Sequence, residues 1–433
     1  MDIKTNKSKA CIIPYLQDEY FLNDMLEFLA GLGKALSSTG ISVTTIQSIL
    51  YNVARAYQVK AEILVFTTFI IIKVGDEESS PLTTVNQIYG LSQLNTISEL
   101  YELIYKVEKA EINPKEGIKC LKKINSHQHR FGKIGMLIGY IFFAVGLGML
   151  LQPTPQQLIA SGVLGFLVGI LLIFTQNKPR LALITPVIGS FLVSILFFWA
   201  VKNGFLTGSM LLIIPALAYF LPGATLTTGM FELASGDLIS GSSRVIYGIT
   251  ILFLLLFGVL NGFKIIGLPQ EELLVVTAAN TMGWWAPYIG IMLFGIGMFL
   301  FMSMRNRDFP WVMIVLYMAF LGQSLGNYFI GGFFGAFFGS LLMTISGTLI
   351  GRSPMRTPSF VSTLSAFWLL VPGSLGFISL ANLIGPNYSS GIADVIQVIM
   401  SVVAISLGLL IGAVIAEPLK LQKIKLKKFK KYV

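Results

Sequence analysis

The groups able to do chemistry gather in one stretch of an otherwise apolar chain. Pro222-Gly223 is followed by Thr225, Thr227 and Thr228, and then by Glu232, Asp237 and Arg244. The three hydroxyls both donate and accept hydrogen bonds, which suits a zwitterionic or carboxylate ligand. Pro222 has no amide hydrogen, and its ring obstructs a continuing helix. Backbone groups released by such a break inside hydrocarbon must be covered by protein or line a cavity. A helix that restarts after the break aims amides at an anion. The same residues allow a plainer arrangement, in which Pro-Gly only kinks a helix and the threonines bond back to their own carbonyls. Phe231, Leu233 and Ala234 surround Glu232 with apolar groups. Desolvation of that kind favours a protonated carboxyl, as a proton carrier requires. The alternative for Glu232 is an interfacial helix whose charges face water. Asp237 and Arg244 are spaced either to pair across two turns or to take a direct part in transport.

The stretch Leu221 to Ser235 has a degenerate copy, Val371 to Gly385, in which Pro372-Gly373-Ser374 stands for Pro222-Gly223-Ala224 and Asn382 for Glu232. Aromatic-rich apolar runs precede both copies. The pair predicts two breaks of similar backbone, with the ionisable chemistry in the first and a nearly neutral second. Further polar groups inside apolar runs are Gln323 and Asn327, which share a helix face and either line a path or bond between helices. Gly331, Gly335 and Gly339 form a small-residue stripe suited to close helix packing. His127 and His129, the chain's two histidines, have no acidic or thiol ligand beside them. No metal site or cofactor is expected. No phosphate-cradling loop, zinc-protease motif or nucleophile elbow occurs, so the expected function is not enzymatic.

These residues need a membrane scaffold. The chain has 433 residues, of which 54% are hydrophobic and 12% charged; a soluble domain usually carries about 25% charged residues. Residues 1–130 read as a small α+β domain, with helical periodicity over Leu22–Leu36 and Val43–Tyr57, one or two β-branched strands over Ala61–Gly75, a further strand candidate over Pro81–Ile88, and two more helices over 93–109 and 114–126. After Lys133 follow apolar runs near 134–151, 158–175, 181–201, 205–222, 243–261, 286–304, 309–327, 328–350, 357–380 and 392–416. Each is about long enough to cross a bilayer core. The predicted fold is therefore an α-helical integral membrane protein with ten transmembrane helices. They divide into five-helix repeats over 131–262 and 263–416, and an odd number of spans inverts the second repeat relative to the first. Residues 417–433 form a polybasic tail.

Lys178, Arg180, Arg244, Arg305, Arg307, Arg352 and Arg356 fall on one side and Lys202 and Lys264 on the other. The richer side is expected to be cytoplasmic, which puts both termini inside. Seven lysines between Lys420 and Lys431, interleaved with Leu421, Ile424, Leu426 and Phe429, supply most of the formal charge of +10. Placed against a membrane end, they suit anionic lipid head groups rather than nucleic acid.

Taken together, the chain resembles the threonine/serine exporter family in its fused form. The resemblance rests on Leu-Gly-Lys-Ala-Leu at 32–36, Gly40 and Val-Ala-Arg-Ala-Tyr at 53–57. It continues in Pro222-Gly223, Thr227-Thr228-Gly229, Glu232-Leu-Ala-Ser-Gly-Asp237, Ser240-Gly-x-Ser-Arg244 and Val371-Pro-Gly-Ser-Leu-Gly376. It implies a multi-pass exporter in a bacterial inner membrane that moves threonine, serine or similar small metabolites in exchange for protons. The expected substrate contacts are Pro222, Gly223, Thr225, Thr227, Thr228, Pro372, Gly373, Ser374, Asn382, Gln323 and Asn327. Glu232, Asp237 and Arg244 are the expected proton-coupling group. Export of dicarboxylates such as succinate, and a channel or receptor with a cytoplasmic regulatory domain, are the alternatives; self-association is left open.

Overall fold

A computed structural model describes residues 19–76, 80–86, 92–151, 154–176, 178–206, 210–268, 282–353, 356–370 and 388–429. The chain forms two compact units, one of residues 1–128 with 235–240, the other of residues 129–234 with 241–433.

In the first unit, α1 (Glu19–Ser37) and α2 (Val43–Ala56) lie against an antiparallel sheet of order β1-β2-β3, formed by Ala61–Val65, Phe69–Val74 and Leu82–Asn86. Alternating burial along the strands fixes the register. Ile63 pairs with Ile72, Ile70 with Val85, and the inward residues Ile63, Val65, Ile70, Ile72 and Val74 are all buried. They meet Met25, Leu29, Leu32, Ile46, Leu50 and Val53, which recur along α1 and α2 at helical spacing and are buried too. Two helices complete the unit, α3 (Leu94–Val107) and α4 (Pro114–Asn125). Asn113 caps α4 by accepting from the Glu116 amide at 2.8 Å. His127 pairs with Glu99 at 2.9 Å.

The second unit is helical: α5 (Gly132–Leu150), α6 (Pro155–Thr175), α7 (Pro179–Lys202), the single turn α8 (Ile214–Leu217), α9 (Gly223–Ala234), α10 (Leu238–Ile266), α11 (Ala286–Phe301), α12 (Phe309–Phe329), α13 (Phe334–Ile350), α14 (Ser359–Leu370) and α15 (Tyr388–Phe429). Six stretches, within α5, α6, α7, α10, α12 and α15, are long and apolar enough to cross a membrane; α11, α13 and α14 are apolar but shorter. The chain is an α-helical, multi-pass integral membrane protein.

Two expected spans differ in shape. The run over 205–222 is no continuous helix. Its described part is α8 between 3-10 turns at Met210–Ile213 and Ala218–Phe220, because Pro215 and Pro222 each withhold an amide from the helical ladder. The run over 328–350 starts its helix only at Phe334, because Gly331 (φ 82°) and Gly332 (φ 58°) turn the chain left-handed after α12. Gly331 thus lies in a turn, while Gly335 and Gly339 pack α13 onto α12.

Small residues bring the membrane helices together in matching ways. A side chain at Gly146 of α5 would strike Phe294 and, at 2.6 Å, the carbonyl of Gly290 on α11. One at Gly297 of α11 would strike Phe143 and, at 2.8 Å, the carbonyl of Gly139 on α5. Gly139 faces Leu300 as Gly290 faces Met149, both at 2.8 Å. The two helices therefore run antiparallel. Each α11 residue number exceeds that of its α5 counterpart by 151 (139 and 290, 143 and 294, 146 and 297). A second set matches at an offset of 150. Gly258 of α10 meets Ser190 and the Val187 carbonyl of α7 (2.7 Å), and Gly408 of α15 meets Ser340 and the Phe337 carbonyl of α13 (2.6 Å). Gly262 with Ser194 is echoed by Gly412 with Thr344.

Candidate functional site

The helical run that ends at Phe220 gives way to Leu221 in an extended conformation (φ −67°, ψ 125°), as the residue before a proline prefers. Helix resumes at Gly223, with the Leu226 amide bonding the Pro222 carbonyl at 2.8 Å. The chain before the break is pinned from α5, where the fully buried Tyr140 donates its hydroxyl to the Ala216 carbonyl at 2.8 Å. Past the break, Pro222, Gly223 and Thr227 are buried, and Thr225 and Thr228 half-buried. Thr227 donates to the Gly223 carbonyl one turn back at 2.9 Å, the plainer arrangement that the sequence allowed. Its own carbonyl lies 3.3 Å from the Ser406 hydroxyl of α15, so α9 is seated against that helix. Of the three threonines, Thr225 and Thr228 are the ones with accessible surface for a ligand.

Three glycines let α9 and α10 fold back on one another as a tight hairpin. A side chain at Gly229 would meet Arg244 at 2.9 Å and the Gly241 carbonyl at 3.0 Å. Gly241 in turn faces the Gly229 carbonyl at 2.7 Å, and Gly248 faces Leu226 at 2.6 Å. This approach delivers Arg244 to Glu232. Its Nε stands 3.0 Å from the Glu232 Oε2, with the Glu232 side chain fully buried and that of Arg244 only 11% exposed. Charges so far from water persist when paired. Arg244, which by spacing suited a pair with Asp237, is thus the partner of Glu232. Asp237 is half-buried in the turn just before α10.

The break, the hydroxyls and the ion pair all lie within the part of the chain that known sequences resemble. A family profile described as "Putative threonine/serine exporter" matches residues 27–266, more than half of the chain. The chain belongs to the threonine/serine exporter family. An uncharacterised protein of Schizosaccharomyces pombe is 21% identical over 363 residues, covering 80% of this chain. This chain spans 43% of that protein's length. No solved structure matches the chain significantly.

In this threonine/serine exporter family chain two of the remaining expected site residues, Gln323 and Asn327, fall among the described residues. Pro372, Gly373, Ser374 and Asn382 lie outside the described residues, and α14 is described up to Leu370. Gln323 is half-buried and faces Gly339 of α13, at 3.3 Å from a side chain built there. Asn327 is exposed and lies over Gly335, so both follow the α12–α13 contact.

A second charged cluster escaped the sequence reading. Asp308, fully buried at the start of α12, lies 3.0 Å from the Arg305 Nε and 4.0 Å from the Arg307 Nε, and accepts from the Thr357 hydroxyl at 3.1 Å. Nearby, Arg130 donates to the Met304 carbonyl at 2.7 Å, and His129 Nε2 is 3.0 Å from the Phe301 carbonyl. Arg352 donates to the Ala416 carbonyl at 2.6 Å. Arginines that counted only toward topology thus also tie helix ends. The signal was present as an Asp ahead of Phe-Pro, a helix-start pattern with proline in the first turn.

Proposed function

We propose that this chain exports small hydrophilic amino acids of the threonine and serine kind across a bacterial cytoplasmic membrane, in exchange for protons. The observation that carries this reading is the single helix α9, which has the backbone break at one end and the buried Glu232–Arg244 pair at the other. From Gly223 to Glu232 is about 14 Å at 1.5 Å per residue. Substrate engages the break, where Thr225 and Thr228 offer hydroxyls, and the proton engages Glu232. While Glu232 is ionised, Arg244 holds α9 against α10. Protonation of Glu232 removes the attraction and frees α9 to pivot at Pro222-Gly223. Proton uptake and substrate release are then linked through one rigid element, which antiport requires.

Alternating access needs a second, oppositely oriented half. We read α5–α10 and α11–α15 as two inverted repeats, supported by the antiparallel α5–α11 contact with its reciprocal partners and by the α7–α10 contact repeated at α13–α15. On this reading α11 and α13 are spans despite their length, α8 with α9 is one interrupted span, and α14, followed in sequence by Pro372-Gly373, is its counterpart. That gives ten spans, with the Lys/Arg-rich loops, both termini and the N-terminal α+β unit on the cytoplasmic side. The lysines of the tail bind anionic lipid.

The test is labelled-threonine counterflow in proteoliposomes containing the full chain. Saturable exchange of threonine and serine, unaffected by excess succinate, is the expected result. Inhibition by succinate with no preference for threonine would move the cargo to dicarboxylates. Unitary currents without counterflow would replace the carrier by a channel.

A further inference from the structure

Two aromatic residues outside the groups discussed so far share an unusual setting. Through residues 212–220 every side chain is buried except Tyr219, and through residues 364–370 every one is buried except Trp368. Tyr219 comes three residues before Pro222, and Trp368 four before Pro372. Both rings rest edge-on against buried rings of the α5–α11 pair. Tyr219 meets Phe301 at 5.3 Å and 86°, Trp368 meets Phe143 at 6.3 Å and 81°, and Phe143 and Phe301 touch each other at 6.1 Å. Phe143 is 0% and Phe301 5% exposed, so the surface left on Tyr219 and Trp368 adjoins buried rings of the α5–α11 pair.

The polar tips separate these two residues from ordinary packing. Tyr and Trp placed inside a protein usually find a hydrogen-bond partner. The adjacent Tyr140 has one in the Ala216 carbonyl. Neither the Tyr219 hydroxyl nor the Trp368 indole N–H has a hydrogen-bond partner among the described residues.

We infer that Tyr219 and Trp368 are the specificity-determining walls of the substrate chamber, and that the missing partner of each is the substrate. The inference rests on the exporter reading for its cargo. A phenol both donates and accepts, so it can satisfy a side-chain hydroxyl; an indole N–H only donates, which fits a carboxylate oxygen. Two stiff rings also limit the side chain admitted to a small one. The ligand so recognised is a small amino acid bearing a hydroxyl.

The test compares threonine with alanine in proteoliposomes of the full-length protein. Tyr219→Phe is expected to raise the KM for threonine roughly 3- to 10-fold, as loss of one hydrogen bond does, with the KM for alanine nearly unchanged. Equal shifts for both substrates, or none, would overturn the assignment. Trp368→Phe is expected to raise the KM for both, since both carry the carboxylate. A second arm needs no cargo. In full-length protein with Cys11 and Cys120 replaced by serine, Tyr219→Cys and Trp368→Cys should react with a small water-soluble thiol reagent, and Leu217→Cys and Leu369→Cys should not. Unreactive thiols at 219 and 368 would overturn the chamber. Reactive thiols in a protein that carries neither threonine nor serine would support the chamber and refute the cargo instead.

Discussion

Replacing Arg244 by methionine keeps most of the side-chain volume and strands the Glu232 carboxylate. The charges stand 3.0 Å apart, with Glu232 fully buried and Arg244 11% exposed. At an effective dielectric of about 20 their attraction is about 5.5 kcal/mol, and the cost of desolvating both ions offsets much of it. Removing one partner leaves the other charge buried and alone, which costs about 3–5 kcal/mol. In a membrane unit of this size that lowers the melting temperature by roughly 10 °C. Replacing both, Glu232→Leu with Arg244→Met, removes the desolvation cost along with the attraction and should return most of the stability. The assay is a double-mutant cycle on thermal unfolding of the full chain in detergent, read by tryptophan fluorescence. Arg244→Met should be the least stable variant, with a coupling of about 2 kcal/mol or more between the sites. An Arg244→Met protein that melts with the wild type, or a double variant that loses the sum of the single losses, would refute the argument.

Three other outcomes follow from the packing. Gly297→Val forces a side chain into the backbone of Phe143 and Gly139; overpacking of this kind costs about 1–3 kcal/mol or more. Gly146→Val should cost a similar amount, because its surroundings on α11 match, and thermal unfolding of both variants checks this. Tyr140→Phe leaves the buried Ala216 carbonyl without its donor, a loss of about 1–3 kcal/mol, and should show faster hydrogen exchange across residues 214–221. In the N-terminal unit, burial, with the nearby Glu116 carboxylate adding to it, pushes the Tyr57 hydroxyl up to about 12. A raised folded-state value means the contribution is complete below the ordinary value of 10 and is lost as pH climbs through about 12. Hydrogen exchange of β1 and β2 should accelerate in that window, and less so in Tyr57→Phe, which also gives up the bond to the Ile112 carbonyl.

Much of the fold was legible because burial imposes period. Leu22 to Leu36 and Val43 to Tyr57 predicted α1 and α2, and the β-branched run Ala61–Gly75 became two paired strands. The membrane helices α5, α6, α7, α10 and α12 fell close to their expected bounds. Hydropathy cannot tell a straight apolar run from a broken one, so the stretch over 205–222 read as a single helix although Pro215 and Pro222 divide it. At the site, Pro222-Gly223 announced a break and Glu232 announced a costly charge. The partner of Glu232 was hidden because the α9–α10 hairpin depends on three-dimensional contacts of Gly229, Gly241 and Gly248. Asp308 was hidden among arginines that topology alone explained. Tyr219 and Trp368 are ordinary aromatics near a span end by sequence, and only the buried rings packed against them set them apart.

Proton movement tied to threonine tests the account most directly. In proteoliposomes loaded with a pH-sensitive dye, an imposed threonine gradient should drive proton flux in the opposite direction through the wild-type protein. Glu232→Gln, with Arg244→Met added should the single variant prove unstable, should still exchange threonine for threonine but move no protons. Equal threonine-driven proton flux in the wild type and the Glu232 variant would contradict the account.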